Sequence, residues 1–460
     1  MEKDVDKLIK EQKERLFSSL TVPPIAKACT VGDGIIAFSE PQRRYFKAIF
    51  TSKSPRISFF IPASGSGSRM FDFLQQFLGS MGHEQADDVK LFLSKLSSFA
   101  FYHQVAATWK ERLSTGDVDL IAFCDYLLGV KGLDFSGTPK ALFPFHEIQG
   151  STATPLEGHI RQAKAFASCL SVMHFTVQRE HEHRIKERLN GIAPSVPFQF
   201  DVSIQTPESD SFVFDEFQRV MTNPNGDFLK RPSGHGALLS NLNRLDTELI
   251  LIKNIDNIQH PKSDAQVQGI WELLCGVYLE IVERLKGIYL QKDREALLEL
   301  NAIYQLFESQ IETMSWAALE LLLLRPLRVC GMVPNEGMSG GGPFWVHGEK
   351  LNSKQIIEKS QLGTSQLYKL SESTHFNPVM MVLSPYNIEG QRLDLNEFVR
   401  EDMAMAVKKN HFGSDVFYLE KPGLWNGSMF DWNSVFVEIP SSVFSPVKNV
   451  MDLLKPSHRE

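Results

Sequence analysis

The most informative stretch of the sequence is ISFFIPASGSGSRM, at residues 57–70. Residues 57–62 are mainly β-branched or aromatic and end at a proline, a pattern typical of a buried strand leaving a sheet. Residues 63–68 are all small, and Arg69 and Met70 follow them at the start of a helical spacing of apolar residues. The stretch therefore predicts a strand, a glycine loop and a helix in series.

Further along the chain, segments typical of strands and of helices alternate. The clearest buried strand is ELILIKNIDN, at residues 248–257, which is apolar almost throughout and ends in polar residues. Residues 264–324 show a long helical spacing, in which we expect two or three helices. Because strands alternate with helices, we expect an α/β fold with a largely parallel, helix-covered sheet. Ligands in such sheets bind outside the carboxyl ends of the strands.

The overall composition is that of an ordinary globular protein, with 43% hydrophobic and 22% charged residues. The formal net charge of −7 argues against a nucleic-acid binder that works through a basic surface. Any anionic ligand must therefore be held by local groups.

Cysteine usage and hydropathy bear on where the protein works. The five cysteines are scattered and form no C-x-x-C pair, which indicates neither a disulfide framework nor a zinc ribbon. Residues 1–16 are charged, unlike a signal peptide, and the longest apolar run, residues 316–324, is about half a membrane span. We expect a cytoplasmic protein that binds neither nucleic acid nor a membrane. The sequence leaves its oligomeric state open.

The loop at residues 63–68 is suited to phosphate binding. Gly65 and Gly67 let backbone N–H groups approach a phosphate closely, and a helix that starts after the loop adds a favourable dipole. Arg69 could add a side-chain clamp. No Gly-Lys-Ser/Thr follows, so this is not a Walker A loop. The alternative is an ordinary turn after a strand.

Three further positions carry groups that suit a nucleotide. Lys140 lies between Pro139 and an apolar run, so its ammonium can extend as a point charge. His235 lies between two glycines in RPSGHG, at residues 231–236, where a flat base or sugar can lie against the main chain. Asp256 ends the buried strand, where a carboxylate can hold Mg²⁺ against phosphates. The alternatives are a solvated lysine, a surface histidine and a turn or N-cap aspartate.

Four segments, in the same chain order, resemble the nucleotide-sugar pyrophosphorylases. Residues 62–70 resemble the glycine-rich nucleotide loop of that superfamily, and residues 139–140 resemble its Pro-Lys pair. Residues 232–236 resemble the Pro-Gly-His-Gly segment of the eukaryotic-type uridylyl enzymes, and residues 254–257 resemble their Asn-x-Asp-Asn metal strand. About seventy residues separate the first two segments, where the superfamily has a short spacer.

Some residues depart from that pattern, and others resemble a second family. Ser68 stands where the superfamily usually has Thr, and Ser64 and Ser233 replace residues that are often glycine. Nearly the whole chain resembles the bacterial domain-of-unknown-function 4301 family. The segments that carry this second resemblance are residues 335–337, 340–346 and 422–429.

The resemblance implies a nucleotide-diphospho-sugar transferase fold of the GT-A, Rossmann-like type, with a mixed, mostly parallel sheet and helical insertions. It implies transfer of a nucleotidyl group from a nucleoside triphosphate, with UTP as the expected donor, to a sugar 1-phosphate, with release of pyrophosphate. Residues 1–50 would form an N-terminal helical segment. Residues 51–460 would form the nucleotidyltransferase-like catalytic domain, with helical insertions at about 75–130 and 264–324.

The resemblance also implies a role for each site residue. Arg69 and Lys140 would act on phosphate oxygens as catalytic residues, and Asp256 would bind Mg²⁺. In the superfamily a second metal ligand comes from a late strand, and we expect Asp431 in that role. The predicted nucleotide-binding residues are Ala63, Ser64, Gly65, Ser66, Gly67 and Ser68 for the phosphates and Gly234 and His235 for the base.

Two other classes of protein stay open. A glycosyltransferase on the same fold would use a nucleotide sugar as donor and need an acidic metal-binding motif, which residues 254–257 supply only in part. A non-catalytic nucleotide- or sugar-binding protein would keep the fold without metal-dependent turnover.

Overall fold

The fold is organised in two compact units, each built from several stretches of the chain. The computed structural model describes residues 2–18, 20–65, 67–205, 210–337, 341–348, 351–411 and 414–460. Unit 1 comprises Met1–Phe60, Gln205–Ile252 and Trp271–Pro440. Unit 2 comprises Ile61–Ile204, Lys253–Ile270 and Ser441–Glu460.

The helices range from a single turn to one of 28 residues. In the first half of the chain they are α1 (Glu2–Ser18), α2 (Glu40–Lys53), α3 (Asp72–Gly79), α4 (Ala86–Ser94), α5 (Ala107–Thr115), α6 (Leu120–Leu128), α7 (Pro155–Ala163) and α8 (Glu182–Ile192). In the second half they are α9 (Leu239–Leu242), α10 (Asp264–Gln291), α11 (Arg294–Tyr304) and α12 (Trp316–Leu323). The helical stretch predicted at 264–324 is therefore confirmed as three α-helices.

The strands are mostly short. Up to residue 215 they are β1 (Ile25–Ala28), β2 (Thr30–Val31), β3 (Gly34–Ile36), β4 (Ile57–Pro62), β5 (His146–Ile148), β6 (Ser151–Ala153), β7 (Leu170–Val177), β8 (Gln199–Ile204) and β9 (Ser211–Asp215). After it they are β10 (Lys230–Arg231), β11 (Leu249–Lys253), β12 (Leu327–Pro334), β13 (Gly341–Val346), β14 (Ser353–Glu358), β15 (His375–Phe376), β16 (Met380–Leu383), β17 (Met405–His411), β18 (Ser414–Glu420) and β19 (Asn433–Glu438).

Unit 1 is built on a mixed sheet with the strand order β2-β3-β19-β12-β16-β11-β4, and β15 pairs with β12 beside this path. The pairs β2–β3, β3–β19, β19–β12 and β11–β4 are parallel, whereas β12–β16 is antiparallel. Strands β4, β11 and β12 are buried almost throughout, which explains their continuous apolar sequences. Two antiparallel sheets accompany this one, with the orders β1-β13-β14 and β10-β9-β18-β17.

Unit 2 contains the parallel pair β7–β8, the hairpin β5–β6 and a core rich in phenylalanine. In that core Phe71 stacks on Phe135, and Phe143 packs edge-on against Phe71, Phe101 and Phe135. Helices α3, α4 and α6 contribute to the same core, which also contains Val447 near the C-terminus. The predicted insertion at 75–130 is thus packed into the core of unit 2.

The predicted α/β fold with a mixed, mostly parallel sheet is confirmed. Between α1 and α2 the structure contains β1, β2 and β3, and the division of the chain at residue 50 stays a prediction. Of the helices that the structure describes, none combines the length and the apolar character needed to cross a bilayer.

Candidate functional site

The glycine loop follows β4 and lies in unit 2. The N–H of Ala63 donates to the carbonyl of Thr176, at the end of β7, over 2.8 Å. The N–H of Ile255, just beyond β11, donates to the carbonyl of Pro62 over 3.3 Å. Residues 63–65 therefore emerge between the ends of β7 and β11, where ligands of α/β sheets bind.

The two glycines of this loop have different surroundings. The N–H of Gly67 donates to the carbonyl of Thr138 over 3.2 Å, and a Cβ at Gly67 would lie 2.6 Å from that oxygen. A Cβ at Gly65 would meet nothing within 4 Å. The amides of Ser64 and Gly65 have no acceptor within the part of the chain that the structure describes. In this conformation Gly67 serves packing, and the N–H groups open to a phosphate are those of Ser64 and Gly65.

The remaining loop residues have these positions. Ala63 is buried and its N–H is used by β7, Ser68 is half-buried, and Arg69 is exposed in the short 3₁₀ helix Gly67–Phe71. Ser66, predicted to bind phosphate, lies outside the described residues. Arg69 is therefore accessible to a ligand in solution.

Lys140 is held against the same loop and is not extended into solvent. Its N–H donates to the carbonyl of Gly65 over 3.3 Å, and its side chain is 11% exposed. The ammonium donates to the carbonyl of Val447 over 2.9 Å and lies 3.3 Å from Oδ2 of Asp256. A buried ammonium needs such partners because burial removes its water. The expectation of a freely extended charge is wrong in this conformation, and so is the alternative of a solvated lysine.

Asp256 and its neighbour Asn257 form hydrogen bonds with residues near the C-terminus. Its backbone carbonyl accepts the N–H of Val447 over 3.1 Å, and its side chain is 23% exposed. The neighbouring Asn257 is buried, and its Oδ1 accepts from Nε2 of Gln259 and from the N–H of Ser445. The loop after β4, Lys140 and Asp256, three segments far apart in sequence, are thereby brought together in unit 2.

Asp256 fits the role of a single protein ligand to Mg²⁺. No group of three or more His, Cys, Asp or Glu residues suited to a metal occurs among the described residues. Mg²⁺ is commonly held by one or two carboxylates, with substrate phosphates and water completing its shell. Asp256 can supply one carboxylate oxygen to Mg²⁺. The same carboxylate is the one that contacts the ammonium of Lys140. Asp431 lies in unit 1, before β19, where it lines a cavity of about 320 Å³, and its role as second ligand stays a prediction.

The second glycine loop lies in unit 1 and is packed closely against residues 420–426. Gly234 has a φ of +74°, and a Cβ there would lie 2.7 Å from Oε2 of Glu420. The ring of His235 stacks on Trp425, with centroids 4.0 Å apart. Its Nδ1 accepts the N–H of Leu424 over 2.8 Å.

The other nitrogen of this ring faces a carboxylate. Because Nδ1 of His235 accepts a hydrogen bond, Nε2 carries the ring proton, and it lies 3.4 Å from Oε1 of Glu358. Burial raises the pKa of the Glu358 carboxyl, but hydrogen bonds from His235, Asn426 and Trp425 outweigh it and hold the pKa below its ordinary value. His235 therefore joins RPSGHG to residues 422–429, two motifs that the sequence shows separately.

Sequence reasoning missed three partners of the predicted residues. Val447 acts through its backbone, which leaves no signal in a residue type. Glu358 belongs to β14 and is distant in sequence from His235. Trp425 lies in a recognised motif, but the sequence gives no indication that it stacks on His235. Gly234 and His235 stay predicted nucleotide-binding residues.

Comparison with solved structures supports the fold. The uridine diphosphate N-acetylglucosamine pyrophosphorylase from Trypanosoma brucei is similar with a TM-score of 0.51 at 12% identity, over 98% of this chain and 74% of that one. A UDP-glucose phosphorylase from Trypanosoma brucei is similar with a TM-score of 0.45 at 12% identity, over 98% of this chain and 73% of that one. At 12% identity, the likeness to the first of these structures is one of fold.

Comparison by sequence gives the family. No curated protein matches the chain. The family model described as "Domain of unknown function (DUF4301)" matches residues 2–459, as the resemblance of residues 335–337 and 422–429 predicts. The chain belongs to the DUF4301 family.

Proposed function

We propose that the protein transfers a nucleotidyl group, with UTP as the donor, to a sugar 1-phosphate and releases pyrophosphate. One observation carries the proposal: a lysine, an aspartate and a glycine loop with two open amides meet in unit 2. Lys140 is 3.3 Å from Asp256 through its ammonium and 3.3 Å from the carbonyl of Gly65 through its N–H. The pyrophosphorylase resemblance of these same segments gives the reaction class.

The reaction needs no covalent intermediate with the protein. An oxygen of the sugar 1-phosphate attacks the α-phosphorus of the triphosphate and forms the new P–O bond. The bond from the α-phosphorus to the bridging oxygen breaks, and pyrophosphate leaves with that electron pair. The task of the protein is to align the sugar 1-phosphate with the α-phosphate of the nucleotide and to stabilise the negative charge that builds up on the phosphate oxygens.

Each residue of this site has a defined task in the reaction. The N–H groups of Ser64 and Gly65 bind phosphate oxygens, and Arg69 clamps them from the exposed side of the loop. The ammonium of Lys140 moves from Asp256 toward the phosphate oxygens when the nucleotide binds. Asp256 would then hold Mg²⁺, which supplies further neutralisation of phosphate charge.

The reaction class is tested with the purified chain, UTP, Mg²⁺ and a panel of sugar 1-phosphates, by measuring released pyrophosphate. We expect release that depends on one sugar 1-phosphate and on Mg²⁺. A glycosyltransferase would instead consume a nucleotide sugar and release the nucleoside diphosphate. A binding protein would bind UTP in a calorimeter without turnover. Either of these results would overturn the proposal.

A further inference from the structure

The last twenty residues contact both members of the Lys140–Asp256 pair through one backbone unit. The carbonyl of Val447 accepts the Lys140 ammonium over 2.9 Å, and the N–H of Val447 donates to the carbonyl of Asp256 over 3.1 Å. We call residues Ser441–Glu460, which include Val447, the C-terminal strap. A shift of Val447 would therefore change the position of the lysine and of the aspartate together.

The strap follows the whole turn that carries Asp256. The N–H of Ser445 donates to Oδ1 of Asn257 over 3.0 Å. Nε2 of Gln259 donates to the carbonyl of Val443 over 2.8 Å. The N–H of His260 donates to the carbonyl of Ser457 over 2.9 Å. Hydrogen bonds thus connect the strap to residues 256–260 at several points along its length.

Apolar packing holds the middle of the strap. The side chains of Val447, Val450 and Leu453 are buried in the phenylalanine-rich core of unit 2. Phe143, three residues after Lys140, belongs to the same core. The lysine and the strap are therefore fixed by one apolar cluster as well as by hydrogen bonds.

A pair of buried histidines fixes the end of the strap. Nε2 of His458 lies 3.0 Å from the carbonyl of Ser445, which can only accept, so this nitrogen carries the ring proton. The unprotonated Nδ1 of His458 then accepts from Nε2 of His146 over 3.0 Å. The two neutral rings stack with centroids 5.3 Å apart. His458 therefore connects two parts of the strap, through Ser445, and connects the strap to β5, through His146.

We infer that the C-terminal strap positions the Lys140–Asp256 pair for catalysis and that His458 is the positioning residue that latches it. The catalytic role of the Lys140–Asp256 pair rests on the proposed function. The contacts of the strap with the pair do not depend on it. Val447 delivers the effect, because its backbone contacts both groups. His458 touches neither of them and acts through Ser445 and the chain between.

The test compares full-length His458→Ala with the wild-type chain in two measurements. The first is the rate at which acetic anhydride acetylates Lys140, followed by mass spectrometry, which needs no enzymatic activity. We expect a rise of about fivefold or more, because loss of the latch raises the population of locally opened strap. The second is turnover with UTP, Mg²⁺ and the sugar 1-phosphate, which we expect to fall about 10- to 100-fold with KM little changed, since misplacement by about 1 Å has effects of this size.

Two variants control this comparison. His183, exposed on α8, is a matched histidine, and His183→Ala should change neither measurement. His458→Gln keeps a donor for the Ser445 carbonyl and should restore part of the protection of Lys140. Where His458→Ala does not fold by circular dichroism, His458→Gln takes its place, with a smaller rise in acetylation expected.

The outcomes separate the two proposals. Unchanged acetylation of Lys140 in the folded His458 variants would overturn the positioning role, whatever the turnover. Raised acetylation with no pyrophosphate release from any chain, wild-type included, would support the strap and overturn the proposed reaction. Raised acetylation with unchanged turnover would show that the strap shields Lys140 without positioning it, which also contradicts the inference.

Discussion

The two glycine loops look alike in sequence but differ in what surrounds them. The loop at residues 63–68, in unit 2, ends beside an ion pair and keeps two N–H groups without acceptors in the described structure. The loop at residues 231–236, in unit 1, is closed: its histidine stacks on Trp425, accepts from Leu424 and faces Glu358. A glycine-rich motif therefore marks close packing as readily as it marks a ligand site.

The difference lies in which hydrogen bonds are already made. At Gly234 a Cβ would clash with Glu420, so this glycine allows the loop to pack against the end of β18. At Gly65 there is open space, and the charged groups near it are paired with each other. Under the proposed function, a nucleotide would displace the partners of Lys140 and Asp256, because phosphates and Mg²⁺ would replace the interactions that are lost.

The largest effect should come from Asp256→Asn. The amide keeps the size of the side chain but lacks the charge that holds Mg²⁺ and pairs with Lys140, so we expect metal-dependent turnover to be abolished. Asp431→Asn should only weaken it. Both are measured as pyrophosphate release over a range of Mg²⁺ concentrations. Full activity of Asp256→Asn would remove this residue from the site.

Lys140→Ala should have the next largest effect. Loss of one preorganised charge that stabilises the transition state lowers turnover by about 10²-fold or more. Lys131 is an exposed lysine nine residues before Lys140 and gives the matched control. Lys131→Ala should leave the rate unchanged. Equal rates in the two variants would mean that Lys140 has only a structural role.

A pair of glycine variants separates packing from binding within the first loop. Gly67→Ala places a Cβ 2.6 Å from the Thr138 carbonyl, so we expect it to lower the free energy of unfolding. The expected loss is about 1–3 kcal/mol, as for other overpacked sites. Gly65→Ala should leave that free energy within about 0.5 kcal/mol, as surface substitutions do, and should raise KM for UTP. Chemical denaturation and initial rates give the two quantities, and a reversed pattern would contradict the assignment of Gly65 to phosphate.

The predictions from sequence succeeded where one local pattern determines the structure. The run at residues 57–62 is a strand because its apolar residues require burial. The helices within 264–324 follow from their apolar spacing in the same way.

The predictions failed where a partner is distant in sequence or acts through its backbone. No local pattern places Val447 against Lys140, because any residue has a carbonyl group. The ion pair between Lys140 and Asp256 spans 116 positions, so the sequence shows two charges of opposite sign and no contact. The insertion at 75–130 could be recognised as helical, but its packing into the core of unit 2 depends on tertiary structure.

In the second loop, His235→Ala should act mainly on stability. The variant removes the ring stacked on Trp425 and leaves the half-buried carboxylate of Glu358 without one donor, and we expect a loss of about 1–3 kcal/mol in the free energy of unfolding. Chemical denaturation measures it, with His183→Ala as the control. An unchanged free energy of unfolding would contradict a structural role of the contacts between His235, Trp425 and Glu358. A raised KM for UTP would support the prediction that His235 faces the base.

The smallest effect concerns pH and the histidines of the strap. Burial lowers the pKa of His146 to about 3, and of His458 to about 4, below the ordinary value of about 6.5 in the unfolded chain. The stability from these neutral rings is therefore complete above about pH 6.5 and is lost as the pH falls toward their folded pKa values. Urea midpoints at pH 7.5 and 5 should show a smaller loss in His458→Gln than in the wild type; an equal loss would contradict this role of His458.

A crystal structure with UTP and Mg²⁺ bound tests most directly whether the first loop and the ion pair form the nucleotide site. We expect phosphate oxygens about 2.7–3.2 Å from the N–H nitrogens of Ser64 and Gly65, the usual hydrogen-bond range. We also expect the Lys140 ammonium on a phosphate and Mg²⁺ about 2.1 Å from a carboxylate oxygen of Asp256. Nucleotide bound only elsewhere, with the Lys140–Asp256 contact unchanged, would contradict the proposed function.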